Sequence, residues 1–220
     1  MFNWFKNWFK KKDKIKRMSW KQISIAQFKR IKEVIDTTPS EEAVWALIGV
    51  CYGMTAAEID NLPLRKAEEY ARGVSFLNSE PAPSVARKTY VLNGHKYNAT
   101  LDFTKVTTAQ YIDFQQVWKD SEEHPERVLA IILVPEGHRY NDGYDTNEVI
   151  DDIENHMSVC DSMGLTLFFC RLLRISIRLV SMKMKRLLKR ARKEGKMSKE
   201  QIALMEKIVQ LSAYANGLNA

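Results

Sequence analysis

The chain has 220 residues, 45% of them hydrophobic and 28% charged, with a formal net charge of +7. That balance is globular, with room for one domain with appendages or two small ones. Nine glycines and six prolines are too few for a collagen-like or low-complexity chain. Three cysteines, Cys51, Cys160 and Cys170, close no disulfide framework and lack metal-ligand spacing, so buried thiols are expected.

The charge is unevenly spread. Residues 1–17 carry seven Lys or Arg against Asp13, a net +6. Residues 18–170 carry 14 basic and 23 acidic side chains, a net −9. Residues 171–199 carry twelve basic side chains against Glu194, a net +11, and the last 21 residues stand at −1. The chain therefore divides into a basic N-terminal arm (1–17), an acidic body (18–170) and a basic C-terminal segment (171–220). Such arms suit an anionic partner: nucleic acid, a membrane surface, an acidic protein or the body itself.

The arm opens with a tandem tetrad, Asn3-Trp4-Phe5-Lys6 and Asn7-Trp8-Phe9-Lys10. On a helix, a four-residue repeat stacks Trp4 near Trp8 and Phe5 near Phe9. These four aromatics, with Lys10 to Lys12 behind them, suit a pocket on a partner protein or a lipid headgroup layer. There is no smooth apolar run with a small-residue cleavage site, so a secretory signal is not expected.

Ser19 with Gln22 has capping-box spacing, and Trp20, Ile23, Phe28, Ile31 and Ile35 follow at roughly helical intervals. Asp36-Thr37-Thr38-Pro39 ends that element. Ser40 is expected to cap a second helix that buries Val44, Trp45, Leu47, Ile48 and Cys51 and stops at Gly53. Thr55 with Glu58 caps a short third helix. Pro63 fits the first turn of a fourth, which carries Ala67, Tyr70 and Val74 to about Leu77. Residues 78–84, rich in Pro and Ser, read as a linker.

The strongest strand signal follows. Lys88–Leu92 and His95–Leu101 flank Asn93-Gly94, the dipeptide that supplies the positive φ angles of a two-residue hairpin turn. Thr107 with Gln110 caps a helix through Phe114 and Trp118. Pro125 opens a buried helix, Val128 to Val134, stopped by Pro135. The polar loop Glu136–Asp145 precedes a helix at about Thr146–Asn155. Trp20, Trp45, Trp118, Phe168 and Phe169 are expected in the core.

From Ser158 to Lys193 there is no proline and one glycine, Gly164. Leu173, Ile177, Val180, Met184, Leu187 and Ala191 recur at intervals of three and four, a coiled-coil-like seam. Arg171, Arg174, Arg178, Lys185, Lys189 and Arg192 form a second, basic stripe that suits anions or nucleic acid. Gly195 is expected to break the helix, and Ser198 with Gln201 to cap a return helix ending at Gly217. A membrane span over Leu165–Val180 is rejected, because three arginines would cost roughly 2.5–3.5 kcal/mol each at a bilayer centre.

Catalytic motifs are lacking. His95, His124, His138 and His156 are dispersed, and no phosphate-cradling glycine loop, nucleophile elbow or CxxC pair is present. The loop Glu136–Asp145 is the best place for a polar site. Asp142 and Asp145 do not match the spacing of a calcium loop, which leaves a surface turn. Asp151, Asp152 and Glu154 read as a solvated acidic face. No enzyme activity, metal or cofactor is expected.

Residues from about 19 to 172 resemble tail-assembly-chaperone-like or minor structural proteins of tailed bacteriophages. Three stretches carry the resemblance. One is Tyr97–Thr104 followed by Thr108–Phe114 with its Gln110-Tyr111 pair. The others are Val128–Pro135 with Tyr140 after it, and Leu167-Phe168-Phe169. In this resemblance Gln110, Tyr111, Pro135, Phe168 and Phe169 are packing and capping residues, with no catalytic group to carry over. It implies a non-enzymatic chaperone-adaptor or virion structural component, binding phage tail proteins such as a tape-measure protein or tail subunits. Its place would be the host cytoplasm during assembly or the virion itself. The alternatives are nucleic-acid binding through the basic C-terminal helix and peripheral membrane attachment through the aromatic–lysine start. The expected fold is α+β and predominantly α-helical. It comprises a compact helical body, one two-stranded β-hairpin (about 88–101) and a C-terminal basic helical hairpin.

Overall fold

In a computed structural model of the chain, which describes Ile15, residues 17–121 and residues 123–194, the helices begin largely where side chains can cap them. Helix α1 spans Ile25–Thr37, and its capping box is Ser24 with Gln27, not Ser19 with Gln22. Ser19 and Gln22 flank only a short 3-10 turn, Trp20–Gln22. The reason is Ile23: it is extended, fully buried, and its carbonyl accepts the Val159 N–H, so the helix restarts after it. Helix α2 (Ser40–Tyr52) stops at Gly53, whose φ of 67° suits glycine. Helix α3 (Ala56–Asp60) carries the expected Thr55–Glu58 box, whose hydrogen bonds hold the Glu58 carboxyl below its ordinary range. Helix α4 (Leu64–Gly73) follows Pro63 and gives way to a 3-10 turn at Ser75–Asn78.

The stretch 79–87 has no regular structure, yet it is tied down. The Trp20 indole donates to the Ser79 carbonyl at 2.7 Å, and the Ser84 N–H donates to the Cys160 carbonyl at 2.8 Å. Strands β1 (Thr89–Leu92) and β2 (His95–Ala99) form the hairpin, with Asn93 at φ 49° and Gly94 at φ 83°. Helix α5 (Thr108–Val117) starts at the Thr107–Gln110 box, and helix α6 (Pro125–Ile132) starts at its proline. The apolar run does not stay helical. At Leu133 it turns into strand β3 (Leu133–Pro135), antiparallel to β2, with Tyr97 opposite Pro135 and Ala99 opposite Leu133. The sheet order is β1-β2-β3, one strand more than the hairpin. Helix α7 (Thr146–His156) is capped by Asp145, and helix α8 (Val159–Glu194) runs for 36 residues.

The chain forms two compact units. One takes the chain to Val85, Leu92–His95 and Asp145–Met163; the other takes Ala86–Val91, Lys96–Tyr144 and the chain from Gly164. The stretch 18–170 thus contributes to both. In the first unit α2 and α7 both pack on α1, and Ile23, Ile31, Ile48, Cys51, Ile59 and Val74 form a buried cluster. Burial pushes the Cys51 thiol up to about 11, so it acts as a small apolar residue. The second unit buries Tyr97, Phe114, Leu165, Phe169 and every residue from Val128 to Val134. Phe114 lies 4.9 Å from Phe169, centroid to centroid.

Three aromatic or apolar expectations fail on burial. Trp45 (42% exposed), Val44 and Trp118 face solvent, as does Ile35. Helical spacing placed them beside core positions, but the partner surfaces cover only part of each helix. Phe168 and Trp20 are half-buried. No helix among the described residues is long and apolar enough to cross a membrane. The expected break at Gly195 and the return helix lie outside the described residues.

Candidate functional site

The pleat of the sheet sorts its side chains. Tyr90, Leu92 and Tyr97 point into packed interior, whereas Val91, Lys96 and Asn98 stand on the exposed alternation. Within the second unit a cleft of about 920 Å³ opens over Thr89, Asn98 and Val134. One wall is the chain from Thr100 through Lys105 to Thr107 and Gln110 at the start of α5; another is His138, Arg139 and Tyr140. That second wall belongs to the polar loop singled out above as the best place for a site.

The loop is shaped by its own bonds. Gly137 and Asn141 take φ of 86° and 62°, the Asp142 N–H donates to the Arg139 carbonyl, and the His138 ring meets Tyr144 edge-on at 5.9 Å. The Tyr140 hydroxyl donates to Asp113 at 2.8 Å. Burial first, then that carboxylate, push the Tyr140 phenol far above its ordinary range, so it stays protonated. Three cations, Lys88, Lys105 and Arg139, come to this cleft from three separate segments, all of them exposed. Asp102 is the carboxylate among its lining residues, and its Oδ1 already accepts from the Thr104 N–H and hydroxyl. Those bonds hold its carboxyl below the usual range. Among the described residues, no group of three or more His, Cys, Asp or Glu is placed to hold a metal.

Of Gln110, Tyr111, Pro135, Phe168 and Phe169, Gln110 lines this cleft. Gln110 is buried, takes the Thr107 N–H on Oε1, and donates from Nε2 to the Ile131 carbonyl at 2.9 Å. Tyr111 accepts from Gln115, Pro135 ends β3, and Phe169 packs on Phe114. Phe168 is half-buried.

Sequence reasoning missed a second polar cluster, in the first unit. Asp152 is 2% exposed, not solvated: it accepts from Asn93 Nδ2 at 3.0 Å and meets His95 Nδ1 at 2.7 Å. Glu154 pairs with Lys29 at 2.8 Å. The His95 ring is about half exposed, and the Asp152 bond, seconded by Asp152 and Glu148 charge, raises its pKa above the ordinary 6.5. The pair spans 57 residues, so no local spacing announces it. A histidine whose folded pKa is raised contributes stability below its unfolded pKa, lost as pH rises through the folded value. Urea denaturation should therefore show the protein losing more stability than His95→Gln as the pH is raised from below about 6.5 through the raised folded value. Parallel pH profiles for the two proteins would dismiss the coupling.

Of the basic stripe, Arg171 and Lys189 are exposed on α8, and Arg174, Arg178, Lys185 and Arg192 fall on the same helix. Lys183, Arg186 and Arg190 add to its exposed cations, and Leu167, Ile175, Met182 and Leu187 are exposed beside them. Trp4, Phe5, Trp8 and Phe9 lie outside the described residues.

By fold this is a predominantly helical α+β protein with a small antiparallel sheet. The chain matches no protein-family model, and no curated protein or solved structure matches it.

Proposed function

We propose that this chain works by binding rather than by catalysis, holding another protein along α8 during phage tail or virion assembly. One observation carries the reading. Arg171, Lys183, Arg186, Lys189 and Arg190 are exposed on a single helix together with Ile175, Met182 and Leu187, which are 43–54% exposed. A phosphodiester backbone attracts cations and hydrogen-bond donors but offers nothing to aliphatic side chains. Apolar side chains set among them suit a protein surface that offers apolar contact inside a rim of carboxylates. The phage setting rests on the resemblance in residues 19–172, and the partner class on α8.

The test is a pull-down with tagged full-length protein from its native host lysate, washed at low and high salt. The expected result is a stoichiometric protein whose capture falls about tenfold in Arg186→Glu/Lys189→Glu and again in Ile175→Ser/Met182→Ser. Recovery of nucleic acid or lipid without protein would replace this reading with one of the two alternatives. A protein retained equally by both variants would remove α8 from the interface.

A further inference from the structure

The geometry points to the cleft of the second unit as a binding site for a small phosphorylated organic molecule, about the size of a nucleotide. This goes beyond the role proposed for α8 and stands on different residues. The cleft's volume, about 920 Å³, lies at the upper end of small-ligand sites and exceeds what a free inorganic anion fills. Its charge is one-sided: Lys88, Lys105 and Arg139 stand against Asp102, a formal net +2 from these four side chains. Asp102 is committed to Thr104 through two hydrogen bonds, at 3.0 and 2.7 Å, which occupy Oδ1.

A phosphate monoester near neutral pH carries close to two negative charges and three acceptor oxygens. A guanidinium fork and two ammonium groups complement both its charge and its acceptors. The rest of the lining divides as an organic body requires. Ala99, Leu101 and Val134 offer apolar surface, whereas Asn98, Thr100 and Thr107 offer amide and hydroxyl groups to a polyhydroxylated moiety. The walls are also braced. Tyr140 is tied to Asp113, and Gln110 is tied to the Ile131 carbonyl, so the loop carrying Arg139 and the start of α5 after Lys105 are supported.

The experiment is titration calorimetry on the full-length protein with adenosine monophosphate, glucose 6-phosphate, adenosine and inorganic phosphate as probes. At least one organic phosphate should bind one-to-one and more tightly than inorganic phosphate, and adenosine should not bind. Lys105→Gln and Arg139→Gln, both at exposed positions, should each weaken that binding by about tenfold. Arg171→Gln/Lys189→Gln on α8 should leave it unchanged, which separates the cleft from the general attraction of a basic chain. If no organic phosphate outbinds inorganic phosphate, the proposal fails. It fails equally if the α8 variant loses as much affinity as the cleft variants. Either result leaves the α8 interface to be judged by its own pull-down.

Discussion

Replacing Ile48 by alanine should destabilise the first unit by about 2–5 kcal/mol, the range for truncating a fully buried aliphatic side chain. Ile48 is 0% exposed and sits in the cluster with Ile23, Ile31, Cys51, Ile59 and Val74. The surroundings have little freedom to close the gap. At the next residue, a Cβ added to Gly49 would stand 2.9 Å from the Met54 carbonyl oxygen and 3.5 Å from Ile59. Helix α2 therefore already touches the chain leading into α3 at backbone distance, and it cannot slide inward to refill the space. In urea denaturation the midpoint should fall with little change in slope. A loss below about 1 kcal/mol would show that this cluster is not what holds the unit together.

Gln110→Leu should cost the second unit about 2–4 kcal/mol, because one side chain serves two backbone groups. Its oxygen accepts the Thr107 N–H and completes the cap of α5, while its nitrogen donates to the Ile131 carbonyl. Ile131 lies in the last turn of α6, just before the chain becomes strand β3, where helical carbonyls lack partners of their own. Leucine keeps the volume and removes both bonds, leaving a buried carbonyl dry. Thr107→Ala removes only its hydroxyl's part in the cap, so it should cost less, about 0.5–2 kcal/mol. Equal losses for the two variants would mean that the bond to Ile131 contributes nothing.

That residue also shows how far local pattern reaches. The Thr107–Gln110 spacing announces a capping box, and the box forms; the second bond, to a carbonyl 21 residues away, has no local signature. The same division recurs at Ser19 and Ser24. Both stand three residues before a glutamine, and only burial of Ile23 in extended form decides which pair caps a helix. The run Val128–Val134 is apolar throughout, so periodicity cannot tell helix from strand within it. The hydrogen-bonding edge of β2 is what turns Leu133–Pro135 into a strand.

The candidate cleft was partly legible. Its loop, with His138, Arg139 and Tyr140, stands out as a polar stretch after an apolar helix, and its cations are ordinary surface residues in sequence. Lys88 and Lys105 join them only because the hairpin and the approach to α5 bring distant segments to one concave surface.

What linear order settles here is whatever acts within a few residues. The Asn93-Gly94 turn, the boxes at Thr55 and Thr107, the stop at Gly53 and the basic run along α8 each depend on neighbours in the chain. Such effects are carried by backbone dihedrals and by hydrogen bonds across three or four positions, which spacing displays directly. Burial is different, because it depends on which surfaces meet. Folding exposes Trp45, buries Asp152 beneath Asn93 and His95, adds β3 to the hairpin and sets Lys88, Lys105 and Arg139 around one space. Each of those outcomes is a contact between segments far apart in sequence, and only the packed chain contains it.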